Sequence, residues 1–331
     1  MIGQDIISKL GDFIEQPRTG KVVVASGINV QQQVRRAVAS SLGGRALWVD
    51  VVSSDMRNVR SVMTASEHAR CIVGLGGGKS VDVGKLAASE LDIPFFSVPT
   101  SASHDGIASP FASIRGTRKH YSVKSKPPVG ILADVEVIAA APPRLFSAGC
   151  GDLVAKLTAV KDWQLGHEVT GEYYGTYAAS LAMMSANLVL ENSKRMGGRG
   201  ISAVRDLVEA LISSGVAAGI AGTSRPCSGS EHLFSHALEV ISPGKGLHGE
   251  KCGIGTILSA KMQGQDWRSV RKALKEVGAP VTAAEIGVTE DEAVKALVEA
   301  ASIRPGRYTI LSKLGLDEKE ARDIADETGV I

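Results

Sequence analysis

Short runs of β-branched and apolar residues punctuate the first third of the chain, at 21–25, 46–50, 71–75 and 94–98. Each is too short for a stable helix and reads as a buried strand. Between them, residues 30–42, 59–69 and 81–91 carry apolar side chains at helical spacing. Strand and helix in alternation predict a parallel sheet covered on both faces, an architecture that by default binds nucleotides. A further extended stretch at 129–134 precedes Ala-Pro-Pro at 141–143. Beyond it strand signals nearly vanish and Ala, Leu, Met and Glu dominate. The expected organisation is an α/β domain over 1–143 followed by an all-α helical domain over 144–331, without fixed-period repeats or low-complexity tracts.

Composition narrows the class. With 331 residues, two cores of ordinary size can form. A chain 44% hydrophobic and 22% charged is neither disordered nor a simple coiled coil. The formal net charge of +2, without a basic tail, leaves no field to draw it to nucleic-acid phosphates. Cys71, Cys150, Cys227 and Cys252 form no CxxC pair, so a cysteine zinc knuckle and a thioredoxin-type motif are excluded, and reduced thiols are expected. The N-terminal residues lack the apolar core of a signal peptide, and no apolar run reaches the length of a membrane span. The expected location is the cytoplasm, without membrane insertion.

The first chemically suggestive segment is Gly74-Leu-Gly-Gly-Gly-Lys-Ser-Val-Asp82, where a strand enters glycines and then a helix. A P-loop ending at Lys79 requires glycine at Val73, and a GxGxxG motif from Gly74 requires glycine at Lys79, so both fingerprints fail in strict form. The physical device survives, because glycines let an anion approach free N–H groups at a helix start. With the predicted sheet, this makes the first domain Rossmann-like; a tight turn without ligand would read the same way. The hydroxyl-rich run from Val98 to Ser109 follows a strand directly, either as a ligand-binding loop at the carboxyl end of the sheet or as a solvated turn.

In the second half, His232 and His236 stand four apart on one predicted helix, and His248 follows in a glycine-rich turn. Histidines at that spacing converge on a metal or a substrate, although a single pair is commonly structural. A carboxylate to complete the set is available in Gly149-Cys-Gly-Asp152, read as a helix start whose acid is either an N-cap or a first-turn ligand.

Taken together, these motifs resemble the iron-dependent alcohol dehydrogenase, glycerol dehydrogenase and dehydroquinate synthase superfamily, over nearly the whole chain. They are Gly76-Gly-Gly-Lys-Ser-Val-Asp82-Val-Gly-Lys85, Pro99-Thr-Ser-Ala-Ser-His-Asp105-Gly, Gly151-Asp152, His232 with His236, and His248-Gly-Glu-Lys251. Ser-His-Asp-Gly with Ser-Gly-Ser-Glu-His is similar to the glycerol-1-phosphate branch in particular. The resemblance implies that Gly76, Gly77, Gly78, Lys79, Ser80, Val81 and Asp82 cradle the pyrophosphate of NAD or NADP. Thr100, Ser101, Ala102, Ser103 and Ser109 would line its nicotinamide end. Asp152, His232 and His248 would bind one Zn²⁺, while Asp105, Asp152 and His236 would contact substrate, with Asp105 and His236 catalytic and His236 the expected proton relay. Where the iron-type alcohol dehydrogenases carry a fourth ligand, a histidine, this chain has Lys156, so a three-ligand zinc with open positions is expected.

The implied reaction is the reversible reduction of dihydroxyacetone phosphate to sn-glycerol 1-phosphate, for archaeal-type membrane phospholipid synthesis, by a homo-oligomer. Glycerol dehydrogenase activity would need no phosphate site. Arg225, seven residues before His232, matches the spacing of a phosphonate-binding arginine in the dehydroquinate synthase branch, and Lys124 or Lys126 would assist it; a surface arginine is the alternative. A dehydroquinate synthase-like lyase would recycle its NAD, and a non-catalytic nucleotide sensor would bind without turnover. Asp50, at the end of the second predicted strand, either hydrogen-bonds an adenosine ribose and disfavours a 2′-phosphate or is an ordinary strand-end residue.

Overall fold

In the computed structural model, residues 1–14, 20–116 and 120–331 are described. The chain divides into two compact units. The first comprises Met1–Ala102, Gly106–Pro142 and Val204–Val208; the second comprises Ser103–Asp105, Pro143–Ala203 and Glu209–Ile331.

The first unit holds β1 (Ile2–Gly3), α1 (Leu10–Phe13), β2 (Lys21–Ser26), α2 (Ile28–Ser41), β3 (Ala46–Asp50), α3 (Met56–Ala65), β4 (Ala69–Gly76), α4 (Gly78–Leu91) and β5 (Phe95–Pro99). There follow β6 (Phe111–Arg115), β7 (His120–Lys124), β8 (Gly130–Ile131), β9 (Ala133–Asp134) and α5 (Val135–Ala139). The four predicted strands lie in one parallel sheet of order β3-β2-β4-β5-β8. β2 explains why its sequence is apolar without interruption. Val22 and Val24 point into a core with Val34 and Val38 of α2, whereas Val23 and Ala25 point into the opposite core with Val59 of α3 and Val81 of α4. Successive side chains of a strand face opposite sides, so a sheet buried on both needs apolar residues at every position.

One local expectation changes. The stretch at 129–134 is two strands: β8 extends the large sheet beside β5, while β9 pairs with β1. Asp134 turns the chain between them and α5, accepting hydrogen bonds from the amides of Ile6 and Ile7 and capping α5 through Glu136. Lys124 ends β7, which pairs antiparallel with β6, and Lys126 lies two residues beyond that strand.

The second unit is helical: α6 (Pro143–Val154), α7 (Lys156–Thr170), α8 (Thr176–Met196), α9 (Ile201–Ala221, whose residues 204–208 group with the first unit), α10 (Ser230–Ile241), α11 (His248–Met262), α12 (Trp267–Glu276), α13 (Glu290–Ile303), α14 (Ile310–Leu314) and α15 (Glu318–Thr328). Side-chain oxygens start several of them: Asp266 caps α12, and Thr289 with Glu292 makes a capping box on α13. Glycines set the crossings around α11. A Cβ on Gly249 would stand 1.9 Å from the carbonyl oxygen of Ala148, one on Gly151 2.3 Å from that of Gly249, and one on Gly255 2.7 Å from that of Glu231. α11 therefore touches α6 and α10 backbone to backbone. Among the described residues, no helix is long and apolar enough to cross a membrane.

Candidate functional site: a histidine and carboxylate cluster and a glycine cradle

The close crossings bring Asp152 on α6, His232 on α10 and His248 on α11 to one point. Asp152 lies in the last turn of α6, not at a helix start, so it is neither an N-cap nor a first-turn ligand. Gly151, just ahead of it, is required by the approach of α11. His248 is likewise the first residue of α11 rather than part of a free turn, which aims its ring along the axis that meets α6.

The two carboxylate oxygens of Asp152 have different partners. Oδ2 accepts the amide of Asp105 at 3.0 Å and faces the Lys156 ammonium at 3.1 Å. Oδ1 faces His232 Nε2 at 3.6 Å and His248 Nε2 at 3.9 Å. Burial alone would raise the pKa of Asp152, but Lys156 and the two imidazoles outweigh it and hold the carboxyl well below the usual carboxylate range. Burial also disfavours a charged His232, yet Cys252, Asp152 and Glu231 overcome this and hold that ring well above the ordinary imidazole range. His248 is pushed well below it by burial and by the neighbouring His232.

Glu231 explains how His232 is aimed. Its fully buried carboxylate contacts His232 Nδ1 at 2.7 Å and is fixed by the amide of Gly229 at 2.6 Å and the hydroxyl of Thr158 at 2.7 Å. With Nδ1 donating to Glu231, Nε2 is the ring atom turned toward Asp152 Oδ1, the carboxylate–histidine arrangement found behind metal ligands. A fourth donor also joins the cluster. Cys252 Sγ lies one helical turn beyond His248, and one ligand atom from each of Asp152, His232, His248 and Cys252 falls within 4.8 Å of the others. Sequence reading passed over Glu231 and Cys252, although their adjacency to His232 and their spacing of four from His248 were the available signals.

Around the cluster, the Asp105 carboxylate pairs with Lys156 at 2.9 Å and accepts from the Ser214 hydroxyl at 3.0 Å. His236 is half-buried, its ring centroid 6.5 Å from that of His232 and 6.1 Å from that of His248. His104 stands edge-on to His248 at 6.5 Å.

In the first unit, β4 ends on Gly76, whose φ of +146° suits only glycine and where a Cβ would meet Ser80 Oγ at 2.8 Å. Gly77 precedes α4 without any side-chain cap, and the amides of Ser80 and Val81 turn back to its carbonyl. The amides of Gly78 and Lys79, in the first turn, remain as donors to an anion. Val81 contributes backbone only, because its side chain is in the core. Asp82 is buried and ion-paired at 3.6 Å with Lys85, whose ammonium donates to the carbonyls of Gly106 and Phe111. This pair fastens the loop before β6 to the helix that starts the cradle.

Comparison with known proteins follows this geometry. The family described as iron-containing alcohol dehydrogenase matches residues 1–142. The glycerol-1-phosphate dehydrogenase [NAD(P)+] of Nitrosopumilus maritimus is 50% identical over 100% of this chain and 95% of that protein. That of Cenarchaeum symbiosum is 51% identical, over 100% and 94%. The chain belongs to the glycerol-1-phosphate dehydrogenase family. Its fold is also that of a probable glycerol dehydrogenase from Sinorhizobium meliloti, with a TM-score of 0.82 at 19% identity, covering 99% of this chain and 95% of that one. A sulfoacetaldehyde reductase from Bifidobacterium kashiwanohense, solved with NAD+, gives 0.78 at 17% identity over 99% and 96%.

As a member of the glycerol-1-phosphate dehydrogenase family, the chain has further candidate residues to place. Thr100, Ser101 and Ala102 are buried just beyond β5, with the Thr100 amide on the carbonyl of Gly76. Ser103 groups with the helical unit, and Ser109 is buried with its hydroxyl on the carbonyl of Phe111. Asp50 is exposed and accepts from Gln31 at 2.6 Å. Lys124 is exposed, and exposed Lys126 pairs with Asp92. Arg225 is buried, not a surface residue. It forks onto Glu172 and donates to the carbonyl of Tyr308, while its Nη1 is buried with no partner. Arg307 stands nearby on the carbonyl of Ser228 and the hydroxyl of Ser224, its guanidinium pushed down to about 9 by burial and by the charges of Arg304 and Arg225.

Proposed function

We propose that the protein catalyses the reversible NAD(P)H-linked reduction of dihydroxyacetone phosphate to sn-glycerol 1-phosphate. The carrying observation is the convergence of Asp152 Oδ1, His232 Nε2 and His248 Nε2, with Glu231 behind His232, in a chain of this family. This donor set fits zinc, since two imidazoles and a carboxylate with directed lone pairs match its ligand preference. When bound, zinc supplies a Lewis acid for the C2 carbonyl oxygen and the reduced nicotinamide supplies the hydride.

The remaining work falls to the chain's own groups. Gly76 to Ser80 cradle the pyrophosphate, with the amides of Gly78 and Lys79 as its donors, Asp82 with Lys85 keeps that turn in place, and Thr100, Ser101, Ala102, Ser103 and Ser109 border the nicotinamide. Lys156 holds Asp152 ionised and Asp105 oriented, so that Asp105 presents its free lone pairs to a substrate hydroxyl. His236 delivers a proton to the C2 oxygen during reduction and takes it back in oxidation. The unpartnered Nη1 of Arg225, reinforced by the electropositive setting of Arg304 and Arg307, faces the phosphate requirement better than Lys126, which is already paired. In this reading residues 1–143 serve the nucleotide and 144–331 the metal and substrate. The protein works in the cytoplasm as a homo-oligomer and feeds its product to phospholipid synthesis.

Oxidation of NADH and of NADPH is to be followed with dihydroxyacetone phosphate and with dihydroxyacetone, before and after chelation. Chelator-sensitive turnover confined to the phosphorylated ketone is expected. A preference for dihydroxyacetone would replace this reading by glycerol dehydrogenase.

A further inference from the structure

We propose that Cys252 is a fourth protein donor to the metal, giving an Asp–His–His–Cys set rather than three ligands. The inference rests on the reading that Asp152, His232 and His248 hold a metal ion, and it begins with distances. Zinc bonds of about 2.0–2.2 Å to nitrogen and oxygen and about 2.3 Å to sulfur imply tetrahedral edges of roughly 3.3–3.7 Å between donor atoms. Cys252 Sγ is 3.6 Å from His248 Nε2, and Asp152 Oδ1 is 3.6 Å from His232 Nε2 and 3.9 Å from His248 Nε2. All four ligand atoms fall within 4.8 Å of one another, so small side-chain movements close the set around an ion.

The surroundings of the sulfur separate it from a packing cysteine. A buried thiol ordinarily acts as a small apolar side chain. Cys71 does so: it sits in a core of valines, leucines and isoleucines, and burial pushes its thiol up to about 11. Cys252 is equally buried but faces imidazoles and, through them, a carboxylate. It shares one face of α11 with His248 because the two are four apart, and Gly253 and Gly255 beside it press that helix against its neighbours. The polar cluster and the tight crossing leave the sulfur aimed at the donors.

A thiolate donor has chemical consequences. Metal binding must release the thiol proton to solvent, and the soft sulfur biases the site toward zinc and away from oxygen-seeking ions such as Mg²⁺. When the metal is bound, Asp152, His232, His248 and Cys252 would all hold it.

The test is to load the metal-free protein with cobalt(II) and record its absorption. A near-ultraviolet sulfur-to-cobalt charge-transfer band is expected beside the visible cobalt bands. Cys252→Val, close in volume, should lose the charge-transfer band while keeping visible bands, and chelator competition should give at least about ten-fold weaker zinc binding. Visible bands without a sulfur band in the native protein would overturn the fourth donor and leave the three-ligand site standing. Failure to bind cobalt at all would overturn both. Should the valine variant fail to fold, X-ray absorption of the zinc-loaded native protein decides alone, through the presence or absence of a sulfur shell at about 2.3 Å.

Discussion

Glu231 and Arg225 are both buried charges with a single kind of chemistry to perform, and both can be tested by removing charge while keeping shape. In Glu231→Gln the side-chain oxygen still accepts from Gly229 and His232, and the new amide can donate to Thr158, so the helix start is kept. What disappears is the negative charge that strengthens His232 as a ligand, and zinc affinity should fall about 10- to 100-fold in chelator competition. Unchanged affinity would reduce Glu231 to a satisfied polar group. Arg225→Ala removes the cation proposed for the phosphate but also leaves Glu172 without its fork. A charge-assisted contact of about 1.5–3 kcal/mol predicts a loss of about 10- to 150-fold in kcat/KM for dihydroxyacetone phosphate, with little change for dihydroxyacetone. Equal losses on both substrates would mark the Arg225–Glu172 pair as purely structural.

At the scale of elements, the glycines of the motifs divide into two kinds that look identical in a sequence. Gly77 has an ordinary φ of −77°, so its lack of a side chain is not demanded by backbone conformation. Its Cβ would meet only Ser101 Oγ, at 3.2 Å, and a modest shift accommodates it. Gly77→Val should therefore fold, bind zinc normally and lose NAD(P)H affinity, read by nucleotide fluorescence titration; retained affinity would put the pyrophosphate elsewhere. Gly249 is of the other kind, since a methyl there collides with the backbone of α6. Gly249→Ala must part α6 from α11, costing about 1–3 kcal/mol in a denaturant titration and lowering zinc stoichiometry, because Asp152 and His248 ride on those helices. Zinc content at the native level in a destabilised Gly249→Ala would uncouple the crossing from the site. The alternation of strands and helices in the first 100 residues was legible because pleat and helix repeat locally. The close crossing of α6 and α11 that places Asp152 beside His248 was not, because it depends on contacts between segments about 100 residues apart.

For the whole molecule, the proposed division of labour between the two units gives the widest test. Asp152, His232 and His248 could be named from their motifs, and the fold brings them together; Lys156 was read only as the replacement of a fourth ligand, and its ion pair with Asp152, like the places of Glu231 and Cys252, depends on neighbours that the fold supplies. All of these donors belong to the second unit, whereas Gly76, Gly77, Gly78, Lys79 and Ser80 belong to the first. Zinc bound only by the folded second unit stabilises it by mass action, about 2.7 kcal/mol at a hundredfold excess over Kd. For a unit of this size that corresponds to a rise of roughly 5–10 °C in the melting midpoint. Chelation should accordingly lower Tm and abolish turnover while NAD(P)H still binds, because the cradle takes no donor from the cluster. Asp152→Asn keeps the size of the side chain but loses the charge that offsets the metal, so its Tm should no longer respond to added zinc. A zinc-dependent shift of native size in Asp152→Asn would mean that the stabilising ion sits at some other place in the fold.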